Sequence, residues 1–353
     1  MIQKRVSLIP LMLLLLPLVM SGMTIEVHAQ IPTRSIAVSV SSLAGIVQEV
    51  AGSQYNTEVL WKQESDPHAF VADPEMLAIA EDADLLVFTG HLGWEKDIAN
   101  QTSKPFITFH DIDALENYDE YGAEFSPMPG GGVQEDGDHD HEGNPHGFWL
   151  LPKNAIAIAN ATRWALTTLN TTMASEWDLN FAAFVDKMQE LEDSIGSLND
   201  IHSFSEMHAV VVSPAEAYVA ETFGIICDAV LQVEQITISG PRLLEVQEAI
   251  RNGSINLIIG SDIARLQAGG EFAYQLQADY GGILIWWKTV FYTEPDYFWM
   301  MNYNLGALVS GLEGRSGGSG DNTINIGLVA LSSILGILFI IESGLLILRA
   351  RAE

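Results

Sequence analysis

The chain has one cysteine, Cys227, among 353 residues. That excludes an internal disulfide and a thiolate metal cage. Within Phe223-Gly224-Ile225-Ile226-Cys227 the thiol lies in an apolar stretch and reads as a small buried hydrophobe. Basic residues are also scarce: 16 Lys and Arg stand against 46 Asp and Glu, a formal net charge of −30. Nucleic acid is excluded as a partner, because its phosphates would be repelled. The same surplus of acid favours solubility and attracts cations. Catalytic signatures are missing as well: there is no His-Glu-x-x-His helix, no strand-turn-helix nucleophile elbow and no phosphate loop.

What is present is a local design used twice, Asp66-Pro67-His68-Ala69-Phe70 and Asn144-Pro145-His146-Gly147-Phe148-Trp149. Each sets a histidine directly after a proline and close to an aromatic. Proline fixes its own φ and restricts the residue before it, so both histidines are predicted at stiffened loop positions. A metal site needs imidazoles whose orientation holds without help from the ion. Between the motifs lies Gln134-Glu135-Asp136-Gly137-Asp138-His139-Asp140-His141-Glu142. His139 and His141 read either as weak metal collectors or as part of a solvated acidic loop. The pattern points to capture of a divalent metal.

The ends of the chain predict where this happens. Lys4 and Arg5 precede an apolar run over residues 8–20, and Val27-His28-Ala29 offers a small-residue cleavage site, so residues 1–29 read as a signal peptide, with an uncleaved anchor as the competing reading. Residues 314–322 form a Gly/Ser linker. Residues 323–348 are apolar apart from Glu342 and small residues, long enough for a single membrane-spanning helix. Arg349 and Arg351 in the tail, residues 349–353, place the C-terminus in the cytoplasm and the body outside the cell.

Between these ends, β-branched runs alternate with helical periods. Strands are predicted at 35–40, 57–61, 84–89 and 106–109, with helices at 43–50, capped by Ser41-Ser42, and at 74–81. Helices at 152–169 and 177–198 follow; in the second, Phe181, Phe184, Val185, Met188, Leu191 and Ile195 form a packing stripe. A second α/β set has strands at 208–212, 226–231, 255–260 and 283–286, with helices at 242–252 and 263–279. The fold class is therefore α/β: an N-terminal lobe (30–172), a connecting helix (173–200) and a C-terminal lobe (201–313), both with mostly parallel sheets. The late aromatics, Trp286 to Trp299, read as packing.

With these elements in place, the chain resembles the extracytoplasmic solute-binding proteins that deliver zinc or manganese to ABC importers. The resemblance rests on Asp66-Pro67-His68, Ala83-Asp84-Leu85, Thr89-Gly90-His91, Asn144-Pro145-His146-Gly147-Phe148-Trp149-Leu150, the run from Tyr218 to Ile225, Ser239-Gly240-Pro241 and Tyr303-Asn304-Leu305. It implies two α/β lobes joined by a rigid helix with the metal between them, and an ABC permease as partner. It implies His68 and His146 as the N-lobe ligands and Asp262 as a C-lobe carboxylate, for which a helix cap is the competing reading. The family's third ligand, just before the Tyr218 helix, is missing from Ser213-Pro214-Ala215-Glu216; Glu216 is the nearest substitute, or else an exposed first-turn acid. His208 begins its strand, about 16 Å from the far end at ~3.3 Å per residue, and is too distant to serve. Glu95, after the 84–89 strand, is read as a structural or rim residue.

Imidazole and carboxylate together suit Zn2+ or Mn2+, with zinc first. Two other functions compete: a surface adhesin or scaffold with a weakened metal site, and a zinc-dependent hydrolase using an open coordination position.

Overall fold

The computed structural model describes residues 34–62, 68, 70–131, 143–234, 236–262, 264–289 and 296–316. The signal peptide, most of the Gly/Ser linker, the proposed membrane span and His139 and His141 lie outside these. Among the described residues no helix is long and apolar enough to cross a membrane.

The N-terminal half runs β1 (Ser35–Val38), α1 (Ser41–Ala51), β2 (Asn56–Val59), α2 (Pro74–Asp82), β3 (Leu85–Val87), α3 (Gly93–Thr102), β4 (Phe106–Thr108) and β5 (Glu116–Asn117). Its sheet has the order β2-β1-β3-β4-β5, every pairing parallel. Such strands are covered on both faces and so read as apolar runs: Leu85, Leu86 and Val87 are each fully buried. Two helices follow, α4 (Pro152–Leu169) and the 29-residue α5 (Ala174–His202).

The C-terminal half contains β6 (His208–Val211), α6 (Pro214–Thr222), β7 (Ile226–Val230), the short hairpin β8 (Gln232–Val233) and β9 (Ile236–Thr237), and α7 (Gly240–Asn252). Then come β10 (Leu257–Ser261), α8 (Ala268–Tyr280), β11 (Ile283–Trp287) and α9 (Tyr297–Ser316). Its sheet is parallel in the order β11-β10-β6-β7.

The two-residue period of a strand decides how the halves join. Ala209, Val211, Leu257, Ile259, Ile285 and Trp287 face a core shared with the first sheet, α1, α4 and α5. Val210, Val212 and Ile258 point the other way, into a smaller core with Val246 and Ile250 of α7 and Leu276 of α8. Both sheets accordingly belong to one compact unit. Helix α5 is its spine: Phe184, Met188, Leu191 and Ile195 are buried, while Phe181 packs at the margin.

Four local expectations change. Helix α1 starts at Ser41 with Val40 as its cap residue, and no side chain caps it; Ser42 instead accepts a hydrogen bond from Trp149 Nε1 at 2.7 Å. The helix expected at 263–279 is broken, with a 3-10 turn at Ala264–Leu266 before α8. A Cβ on Gly270 would lie 2.7 Å from the Ala264 carbonyl, so the turn folds back onto the start of α8. Helix α3 is polar, with only Trp94, Glu95 and Ile98 buried, which leaves little apolar period to read. The first residues of the Gly/Ser tract, Gly314 to Ser316, are the last turn of α9.

Phe184 joins α5 to α9, 6.3 Å from the Tyr297 ring and 5.3 Å from that of Phe298. Phe184→Ala is expected to destabilise the fold by about 3–5 kcal/mol through the cavity it leaves. Denaturant unfolding checks this, and a loss below 1 kcal/mol would contradict the role given to α5.

Candidate metal centre

Open parallel sheets place ligands beyond the carboxyl ends of their strands. His68 follows β2, His91 follows β3, and His146 precedes the buried turn Phe148–Leu150. The three imidazoles each offer one ring nitrogen, and these nitrogens all lie within 4.8 Å of one another. His91 Nε2 and His146 Nδ1 are 3.2 Å apart. Tetrahedral zinc with bonds of about 2.0–2.1 Å sets its nitrogen ligands roughly 3.3 Å apart. Ring centroids are separated by 4.7 Å (His68 and His91), 5.1 Å (His68 and His146) and 4.4 Å (His91 and His146). The rings meet edge to face, at 69°, 65° and 87°. Among the described residues this is the group of metal-ligating type that converges.

His91 is set by a carboxylate underneath it. Glu95 is buried and accepts from Thr89 N (2.8 Å), Gly90 N (2.8 Å), Leu92 N (3.2 Å) and the Thr89 hydroxyl (2.9 Å). Burial raises its pKa, and these hydrogen bonds oppose the rise. Thr89 Oγ1 in turn accepts from His91 N at 3.2 Å. Gly90 has φ +82 and a would-be Cβ 2.6 Å from Thr108 Oγ1, so glycine is needed where the loop turns.

His146 is set by an amide. Asn144 Oδ1 accepts from His146 N at 3.0 Å, an Asx-type turn, and Asn144 Nδ2 donates to the Pro214 carbonyl at 3.0 Å. The Tyr218 hydroxyl donates to the Asn144 carbonyl and accepts from Ser126 N at 3.0 Å. Gly147 has φ +83 and packs against Ala215, whose Cβ would lie 3.0 Å from an added Cβ. Trp149 is held by Ser42, and the Leu150 carbonyl accepts from Tyr297 at 2.8 Å. The second Pro-His motif is thus a wedge between the two sheets.

The structure brings His68 and His146 together but not the two acids paired with them by sequence. Asp262 bridges strand ends: its N–H donates to the Trp287 carbonyl at 3.0 Å, and its Oδ1 accepts from Thr289 N and Oγ1, each at 3.1 Å. Glu216 is fully buried rather than exposed, and accepts from Ser213 N and from the Ser261 hydroxyl. Burial pushes its pKa up to about 8, Asp262 adding to the rise and the hydrogen bonds opposing it. His208, as its distance implied, lies elsewhere, 2.9 Å from Asp228 Oδ2. Asp66 and Pro67 lie outside the described residues.

Two groups near the site escaped the sequence reading. His91 lacks the preceding proline that flagged its partners; its signal is position, just beyond a glycine at the end of a buried strand. Glu234 Oε1 lies 3.4 Å from His68 Nδ1.

Glu216 yields a pH prediction. Its folded pKa of about 8 exceeds the ordinary 4.5. Its contribution to stability is therefore full below pH 4.5 and is lost as pH rises toward 8. Glu216→Gln cannot ionise, so it is expected to gain on the wild type between pH 5 and 8, by up to about 1.4 kcal/mol per pH unit. Thermal unfolding across that range checks it; a difference independent of pH would contradict a buried acid.

Comparison with known proteins agrees with this fold. Zinc-binding lipoprotein AdcA of Streptococcus pneumoniae is 27% identical over 229 residues, 60% of this chain and 42% of AdcA. Iron-binding protein YfeA of Yersinia pestis is 22% identical over 241 residues, 68% of this chain and 73% of YfeA. The chain thus spans less than half the length of AdcA. A crystal structure of ZnuA superposes with a TM-score of 0.61 at 17% identity, over 79% of this chain and 98% of that one. A manganese-bound periplasmic metal-binding protein from Candidatus Liberibacter asiaticus gives 0.59 at 21% identity, over 79% and 99%. At such identities the solved structures speak for the fold alone. Residues 36–311, comprising both sheets and most of α9, match the family described as ZnuA, zinc-uptake complex component A, periplasmic, and the chain belongs to that family.

Proposed function

We propose that this chain captures one divalent transition-metal ion at His68, His91 and His146 and presents it to an ABC importer while tethered to the cell surface. The observation that carries this is the convergence of three imidazole nitrogens within 4.8 Å. With one nitrogen protonated, the 3.2 Å approach of His91 to His146 is a hydrogen bond; with both bare, their lone pairs repel until a cation lies between them. Family members are metal-binding solute-binding proteins and not enzymes.

Coordination chemistry orders the ions. Three neutral imidazoles favour zinc over manganese, because affinity at nitrogen sites rises from Mn2+ to Zn2+. The same donors accept nickel and ferrous iron, in keeping with the iron-binding YfeA and a solved nickel complex of FpvC from Pseudomonas aeruginosa. The net charge of −30 concentrates cations near the surface. His139 and His141 are proposed to collect ions ahead of the site. Tethering would raise the effective concentration of loaded receptor beside its permease.

Equilibrium dialysis with elemental analysis is expected to find one zinc per chain, displacing manganese. Single His→Ala changes at 68, 91 or 146 are expected to weaken zinc by more than the 10- to 100-fold typical of an outer partner. Stoichiometric zinc in the triple His→Ala variant would sink the assignment, as would none in a folded wild type. For the tether, a chain truncated after Ser316 is expected to leave the membrane fraction on cell lysis, and its retention there would count against a C-terminal anchor.

A further inference from the structure

His68 and Glu234 come from opposite halves of the fold. Glu234 follows β8 and adopts φ +48, a left-handed conformation rare for a residue with a side chain. Such a backbone is strained and persists only where its surroundings fix it. The surroundings here are specific. Gln232 is almost fully buried, its Oε1 accepts from Gly269 N at 2.8 Å and its Nε2 donates to the Glu234 carbonyl at 2.6 Å. One amide thus pins the strained residue to the start of α8. From there the carboxylate reaches His68 Nδ1 at 3.4 Å, with both side chains partly shielded from water.

We propose that Glu234 is a positioning residue for the metal centre: it accepts the Nδ1 proton of His68 from across the fold, fixes the tautomer with Nε2 bare, and aims that nitrogen at the ion. A histidine ligand ordinarily gives its second N–H to a carboxylate or carbonyl, which fixes ring orientation and raises basicity. Glu95 and Asn144 bond the loops of the other two histidines through backbone, whereas the Glu234 carboxylate lies beside the imidazole itself. A contact of 3.4 Å is longer than a finished hydrogen bond, so a ring drawn toward an ion and a carboxylate following it would bring the β8–β9 hairpin inward. The inference about the ion rests on the capture reading above; the contact with His68 does not.

The test separates the two. Long-range 1H–15N NMR on the histidine-labelled, metal-free chain, with His68→Ala identifying the signal, is expected to show His68 protonated at Nδ1. Glu234→Ala should shift it toward Nε2–H, whereas Glu234→Gln, which retains an acceptor oxygen, should hold it in part. Zinc competition titrations should show a loss of about 10- to 100-fold for Glu234→Ala and less for Glu234→Gln. An unchanged tautomer in Glu234→Ala overturns the proposal, and so does a zinc loss without a tautomer change, which would make Glu234 a ligand. A tautomer that follows Glu234 in a wild type without zinc affinity upholds the contact and overturns the capture reading.

Discussion

The candidate metal centre depends on how Asn144 divides its side chain. Its carbonyl takes the His146 N–H and its amide reaches the first residue of α6, while its own backbone carbonyl is held by Tyr218. Asn144 is itself only 1% exposed, so these bonds form where water cannot replace them. One side chain thereby orients His146 of the first half and seats its loop against a helix of the second. Beneath it lies the shared apolar core, to which strands of both sheets contribute together with α1, α4 and α5.

Three carboxylates near this site are engaged by hydrogen-bond donors of the fold. Glu95 gathers the amides of the His91 loop, Glu216 caps α6, and Asp262 joins the ends of β10 and β11. Each sits where several donors converge, which is the condition under which a buried carboxyl is tolerated. His68, His91 and His146 are each half-buried, and their ring nitrogens converge.

Much of the fold was legible because parallel strands covered on both faces must be apolar, as at Leu85-Leu86-Val87 and Leu257-Ile258-Ile259. The bounds of α4 follow from Pro152 at its start and the end of its apolar period at Leu169. Helix α3 was not legible, since its buried face includes a glutamate. At the site, His68 and His146 are marked by proline, but His91 only by its place just beyond the glycine that ends a buried central strand. Glu216 looked like an exposed first-turn acid by position; only the packing of Ser261 against it shows that it is buried. Asp262 follows a strand as a ligand does, yet its partner Thr289 lies 27 residues away.

These substitutions bear on how a receptor with a stiff spine can still register its cargo. A 29-residue helix packed along the core resists bending of one half against the other. Response must then come from short segments whose restraint is local, and the β8–β9 hairpin is one: two-residue strands held by two pairings and by Gln232. Its carboxylate lies 3.4 Å from Nδ1 of His68. The loops of the other two histidines are hydrogen-bonded through backbone to the buried groups Glu95 and Asn144. The contact of Glu234 with His68 therefore ties this locally held hairpin of the second half to a histidine of the first.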